Sequence, residues 1–198
     1  MPTRPDVGRL ERSLRHAYEH DLPRRDVIAL LRALVGYAAQ ETADWEQLRV
    51  ELAENLLRDE SGRTSAWEAA RLAQDALAST RLSQELRARA HAVQGLAQTL
   101  LGNLRAARSA YRRALQFDTS DPVVAHNLGH LLVAAFGDPA NALPLLRRAY
   151  LELKGNSDVA ASYAHALVRA GQAELAERVL RSAGVETSRI QSWIRAWT

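Results

Sequence analysis

Residues 95–114 read GLAQTLLGNLRAARSAYRRA. The same order of features returns in residues 129–149, GHLLVAAFGDPANALPLLRRA, and in residues 164–183, AHALVRAGQAELAERVLRSA. Each copy has a small residue first, then a glycine, and then an alanine, a large apolar residue and a second alanine. The copies are 34 or 35 residues apart. This period is typical of a helical repeat, in which each unit buries its apolar face by stacking on the next.

The residues around these anchors favour helix throughout. Alanine and leucine are abundant, only six prolines occur, and no alternating strand pattern is visible. The predicted connections have two to five residues, so consecutive helices should pair antiparallel in an all-α fold. We predict eleven helices, near residues 5–19, 23–40, 43–59, 66–79, 83–101, 104–117, 122–135, 139–153, 158–170, 172–183 and 188–197.

Several helix starts have recognisable signals. Asp121-Pro122 and Asp138-Pro139 each place an N-cap before a proline at the first helical position. Residues 65–68 and 188–191 each combine a serine with a glutamate or glutamine three positions later, which predicts a capping box.

The chain divides into three predicted segments of one continuous solenoid. Residues 83–187 hold the three regular repeats, and residues 188–198 form a final helix. In residues 1–82 the signature is mostly lost, although Ala38 and Ala76 precede Ala114 by steps of 38 residues. We therefore interpret residues 1–82 as two degenerate helical hairpins stacked on the regular repeats.

Residues 88–183 resemble the tetratricopeptide repeat (TPR) family. Asn127-Leu128-Gly129 followed by Leu132 is similar to the family's first-helix pattern, and the ends of the second helices follow it closely. The resemblance implies a right-handed superhelix of antiparallel helix pairs. It also implies a non-catalytic protein in which the first helix of each pair lines a concave groove that binds a segment of another protein.

Carried over to this chain, the resemblance predicts a concave face of mixed character. Asparagine on this face can pair with peptide amides, and arginine can hold carboxylates. A solvated polar face without a ligand is the alternative. The predicted partner-binding residues are Arg89, Val93, Leu96, His126, Asn127, His130, Ser162, His165 and Arg169.

His126 and His130 lie one helical turn apart, a spacing that can hold zinc. A third ligand is not evident unless His165 approaches. We therefore expect no metal and no cofactor.

The final predicted helix has one apolar stripe, formed by Ile190, Trp193, Ile194 and Trp197 at i, i+3, i+4 and i+7. A solenoid needs a terminal helix to cover its last repeat, so capping is the favoured role. The alternative is a contact with a second copy or with a partner, because tryptophans are strong interface anchors.

Composition limits the function classes. The 198 residues include no cysteine, no uninterrupted apolar run near membrane-spanning length, and no apolar run after Met1, so we expect a cytoplasmic protein without disulfides or a signal peptide. The net charge of +3 is uneven, with −3 in residues 1–80 and +6 in residues 81–198. A basic strip on one predicted helix, containing Arg105, Arg108, Arg112 and Arg113, is interpreted as a solvated face, and anion or nucleic-acid contact is the alternative.

The chain contains no Gly-rich phosphate loop and no nucleophile elbow, so we do not expect an enzyme. The leading hypothesis is an adaptor or scaffold that binds a partner polypeptide in the groove. A dedicated chaperone for a secreted or assembling client is the first alternative, and a nucleic-acid-associated factor is a weaker one.

Overall fold

The computed structural model describes residues 6–37, 45–59 and 62–198. These residues form eleven α-helices and no strand, which confirms the predicted all-α class and helix number. The predicted helix limits at residues 5, 40 and 43, and the predicted repeat position Ala38, lie outside the described residues. The helices are α1 Val7–Glu19, α2 Arg24–Tyr37, α3 Trp45–Arg58, α4 Arg63–Leu77, α5 Gln84–Leu100, α6 Leu104–Phe117, α7 Pro122–Phe136, α8 Pro139–Glu152, α9 Ser157–Arg169, α10 Ala173–Ser182 and α11 Thr187–Trp197.

The chain separates into two compact units, Met1–Phe117 and Asp118–Thr198. In the first unit each helix packs on the next, and α3 also contacts α5. In the second unit α7 packs on α8 and α9, α9 packs on α8 and α10, and α11 rests on both α9 and α10. The segment boundaries predicted near residues 82 and 187 stay predictions. None of the described helices has the length and apolar character needed to cross a bilayer.

The repeated glycines permit close contact within two helix pairs. A Cβ atom on Gly95 of α5 would lie 2.4 Å from ring carbons of Tyr111 of α6. One on Gly129 of α7 would lie 2.6 Å from Cγ of Leu146 of α8. Tyr111 and Leu146 are almost completely buried. The small residue and the large apolar residue of the sequence signature are therefore direct packing partners in both pairs.

The predicted proline-type helix starts are confirmed. The Asp121 carboxylate accepts hydrogen bonds from the backbone N–H groups of Val123 and Val124, at 2.8 and 3.0 Å. The Asp138 carboxylate accepts one from the N–H group of Asn141. These bonds satisfy donors that the helices α7 and α8 would otherwise leave without partners.

Both predicted capping boxes are wrong. Helix α4 begins at Arg63, because Gly62 at a φ of 79° turns the chain earlier than expected, and Ser65 is a buried residue inside the helix. Helix α11 begins at Thr187 after Glu186, which makes no side-chain capping bond. In both places the actual first residue precedes the serine on which the prediction relied.

Two bidentate ion pairs connect helices one repeat apart in the first unit. The Arg89 guanidinium of α5 donates to both carboxylate oxygens of Glu54 of α3, each at 2.9 Å. Arg32 of α2 binds Glu68 of α4 in the same two-pronged way, at 3.1 and 2.6 Å. This planar geometry is the strong form of a charge-assisted hydrogen bond.

We expect Gly129→Ala to lower the free energy of unfolding by about 1–3 kcal/mol, because the added methyl group overlaps Leu146. Urea unfolding followed by circular dichroism measures this loss. Gly36→Ala is the matched control, since a Cβ there meets nothing within 4 Å in helix α2. That control should be neutral or stabilise by up to about 1 kcal/mol. Equal effects of the two substitutions would contradict the packing role.

The Arg89–Glu54 pair predicts a charge-swap pattern. Arg89→Glu places two carboxylates side by side and should destabilise the protein by about 1–3 kcal/mol, as should Glu54→Arg. The double variant restores the pair in reverse order and should recover most of the loss. If a double-mutant cycle measured by urea unfolding gave purely additive losses, the pair would not be stabilising.

Candidate functional site

Three predicted partner-binding residues lie on α5 in the first unit, where they take part in internal packing. The Arg89 guanidinium is engaged by Glu54, Val93 is buried, and Leu96 is half-buried. Glu54 was not predicted from the sequence, although it lies 35 residues, one repeat, before Arg89. A partner contact by these three residues stays a prediction.

The other six residues belong to the second unit, and four of them form one polar cluster. The Ser162 hydroxyl of α9 lies 3.0 Å from Nε2 of His126 and 3.1 Å from Nδ1 of His130, both on α7. A hydroxyl has a single proton to donate, so at least one of these histidines donates its ring N–H to Ser162 Oγ. We call His126, His130, Ser162 and His165 the histidine cluster.

Burial keeps part of this cluster neutral. It lowers the pKa of His126, and the neighbouring His130 lowers it further, although Asp158 and a hydrogen bond with Asn127 oppose the shift. The pKa of His165 is also lowered, first by burial and then by electrostatic interaction with His130 and Arg169. Neutral imidazoles can both donate and accept hydrogen bonds, which suits a bridge through one hydroxyl.

Helix α11 contributes aromatic rings beside the cluster. The Trp197 ring stacks on His165 with centroids 5.0 Å apart, and Trp193 lies 5.4 Å from Trp197. Ile190 is completely buried, while Trp193, Ile194 and Trp197 are each half-buried. The predicted apolar stripe therefore faces α9 and α10 in part and leaves aromatic surface accessible. A dimer contact through this stripe stays a prediction.

The accessible part of this region joins polar and aromatic groups. His130 and Arg169 are exposed, and Asn127, His165 and Trp197 are half-buried. We call these five residues the α7–α9 surface. Ser162 and His126 lie beneath it as the bridge between the two helices. The sequence pattern predicted four members of this surface as binding residues, but it did not predict that Trp197 would join them.

The geometry of the cluster favours a structural bridge over a reactive centre. Nε2 of His126 and Nδ1 of His130 are both within hydrogen-bond distance of the Ser162 hydroxyl. Within the described residues, no three His, Asp or Glu side chains are placed to hold a metal ion. Ser162 is buried in the middle of α9, where backbone N–H groups bond along the helix.

The comparisons with known proteins concern fold and family. The tetratricopeptide-repeat profile matches residues 133–187. Two crystal structures of MamA are similar: one has 16% identity, a TM-score of 0.64 and coverage of 80% of this chain and 88% of that one. The other has 14% identity, a TM-score of 0.65 and coverage of 89% of both chains.

A thermophilic TPR protein from Thermus thermophilus is also similar, with 15% identity, a TM-score of 0.60 and coverage of 97% of this chain and 98% of that one. Comparison with curated protein sequences gives no significant match. Identities this low establish the fold alone. Residues 133–187 therefore belong to the tetratricopeptide-repeat family, and the described part of the chain as a whole has the fold of TPR proteins.

Proposed function

We propose that this protein is a non-catalytic adaptor that holds a segment of a partner polypeptide on the α7–α9 surface. The observation that supports it is the grouping of exposed His130 and Arg169 with half-buried Asn127, His165 and Trp197 within one compact unit. The TPR fold supports the same class of function, because proteins with this fold commonly bind other proteins.

The chemistry of this surface suits a peptide backbone with an acidic or terminal carboxylate. The Asn127 amide offers both a donor and an acceptor to a peptide group. The Arg169 guanidinium forms no ion pair within the described residues, and its planar fork matches a carboxylate. The stacked rings of His165 and Trp197 provide apolar contact area at low entropic cost.

The buried hydrogen bonds support binding by limiting motion. Ser162 joins His126 and His130 of α7 to helix α9, so the two helices that carry the surface are linked directly beneath it. A surface that is already ordered loses less conformational entropy when a ligand binds. The bridge therefore contributes to affinity without contacting the ligand.

To test this binding, peptides are selected from a random display library with the full chain as the target. We expect Arg169→Glu to weaken binding of the selected peptides by at least about tenfold. The substitution replaces a guanidinium that binds carboxylates with a carboxylate that repels them. Fluorescence anisotropy with labelled peptides measures the change.

Arg178→Glu is the matched control, since Arg178 is exposed on α10 and makes no ion pair within the described residues. The affinity of the Arg178→Glu variant for the selected peptides should stay within about twofold of that of the unmodified chain. The proposal fails if no peptide is enriched, or if both charge reversals have the same effect.

The lowered histidine pKa values predict acid sensitivity. Because the folded state binds fewer protons at His126 and His165 than the unfolded state, stability is complete above the ordinary histidine pKa of about 6.5 and declines as pH falls below it. We expect the urea midpoint to be lower at about pH 5.5 than at about pH 7.5.

The double variant His126→Gln and His165→Gln should show a smaller difference between these two pH values. His20→Gln provides the control, because His20 is exposed on the first unit. An unchanged pH dependence in the double variant would contradict the assignment.

A further inference from the structure

The repeat formed by α5 and α6 contains arginine but no acidic residue over most of its length. Between Leu86 and Phe117 the sequence has six arginines and neither aspartate nor glutamate. The chain as a whole is nearly balanced, with 26 basic and 23 acidic residues. This repeat is therefore a local concentration of positive charge that the net charge of +3 does not reflect.

Three of the six arginines are engaged within the protein or partly buried. Arg89 pairs with Glu54, and the Arg87 guanidinium donates to the backbone carbonyl oxygens of Leu82 and Ser79, at 3.1 and 3.4 Å. A third, Arg108, is half-buried. The remaining three are exposed on α6, and none forms an ion pair with a carboxylate in the described part of the chain. These three residues are Arg105, Arg112 and Arg113, and we call them the arginine face.

The arrangement on the helix keeps these charges together. Arg105 and Arg112 are seven positions apart, which places them on the same side of α6 and about 10 Å apart along its axis. Arg113 is eight positions after Arg105, about 80° around the helix axis, so the three side chains share one half of the helix surface. The neighbouring exposed residues, Ser109 and Gln116, add no compensating charge.

We propose that the arginine face of α6 binds an acidic segment of a partner polypeptide. Glutamate and aspartate carboxylates fit the guanidinium fork and would neutralise three arginines that have no carboxylate partner in the described residues. Proteins with the TPR fold commonly bind other proteins, which favours a polypeptide over a nucleic acid as the anionic occupant. The surface belongs to the first unit, so this proposal goes beyond the peptide site of the second unit and does not depend on it.

The test measures binding of three anionic probes to the full chain. The probes are a poly-L-glutamate of about 20 residues, a DNA duplex of about 20 base pairs and vesicles that contain phosphatidylserine. The variant carries Arg105→Gln, Arg112→Gln and Arg113→Gln. Glutamine keeps the helix propensity close to that of arginine, so folding should be preserved, and circular dichroism melting checks this.

The matched control removes three exposed arginines from other helices, through Arg15→Gln, Arg147→Gln and Arg178→Gln. Both triple variants have the same net charge, so only the location of the lost charge differs. We expect poly-L-glutamate to bind the unmodified chain and the control alike, and to bind the arginine-face variant at least about tenfold more weakly at low ionic strength. We also expect this binding to weaken at about 0.15 M salt.

Three results would overturn the proposal. The first is that poly-L-glutamate does not bind the unmodified chain. The second is that it binds both triple variants equally, which would mean a response to net charge alone. The third is that duplex DNA or the vesicles bind more tightly than poly-L-glutamate and lose that binding in the arginine-face variant, which would assign the face to phosphate groups.

Discussion

The contact of a bare glycine backbone with a large apolar side chain is the constraint on which both units depend. At Gly95 and Gly129 the partner side chain occupies the space that a Cβ atom would need. Helices α5 and α6, and likewise α7 and α8, can therefore approach until Tyr111 and Leu146 are almost fully buried. In the third copy Ala164 and Leu180 are both completely buried, so a methyl group is accommodated there. The repeat period of the sequence is therefore the spacing at which this close helix packing recurs.

Hydrogen bonds made by polar side chains span the same number of residues as the repeat. The bond between Arg32 and Glu68 spans 36 residues, and that between Tyr150 and Ser182 spans 32. The hydrogen bond from Arg24 to the carbonyl of Arg58 spans 34. Each bond joins positions about one repeat apart. The first unit keeps this spacing in α1–α4, where the apolar signature of the sequence has faded, because a stacked helix pair brings residues one repeat apart into contact whatever their type.

Local signals made most of the fold predictable. Helix number and the proline-type caps depend on neighbouring residues or on a repeat that the sequence displays, and both agree with the structure. The two capping boxes failed because a serine followed three residues later by glutamate or glutamine fits a helix interior as well as its start. A four-residue pattern does not distinguish a helix start from a helix interior when the preceding glycine or glutamate can begin the helix instead.

The candidate site was less predictable, because accessibility depends on what each side chain meets in the next repeat. Arg89 and Arg169 both occupy the first helix of a pair, yet Glu54 binds Arg89 and no carboxylate in the described residues binds Arg169. Similarly, Trp197 belongs to the surface only because α11 places its ring on His165.

The groups available to a partner are those that remain after internal pairing is complete. This criterion selects Arg169 on α9 and the arginine face on α6, and it excludes Arg89, although the composition alone does not distinguish them. In a repeat protein, each charged side chain therefore has to be checked for a partner on a neighbouring helix before a surface can be called basic. By that standard α6 has an unbalanced face, because neither α6 itself nor any other described residue supplies a carboxylate partner for Arg105, Arg112 or Arg113.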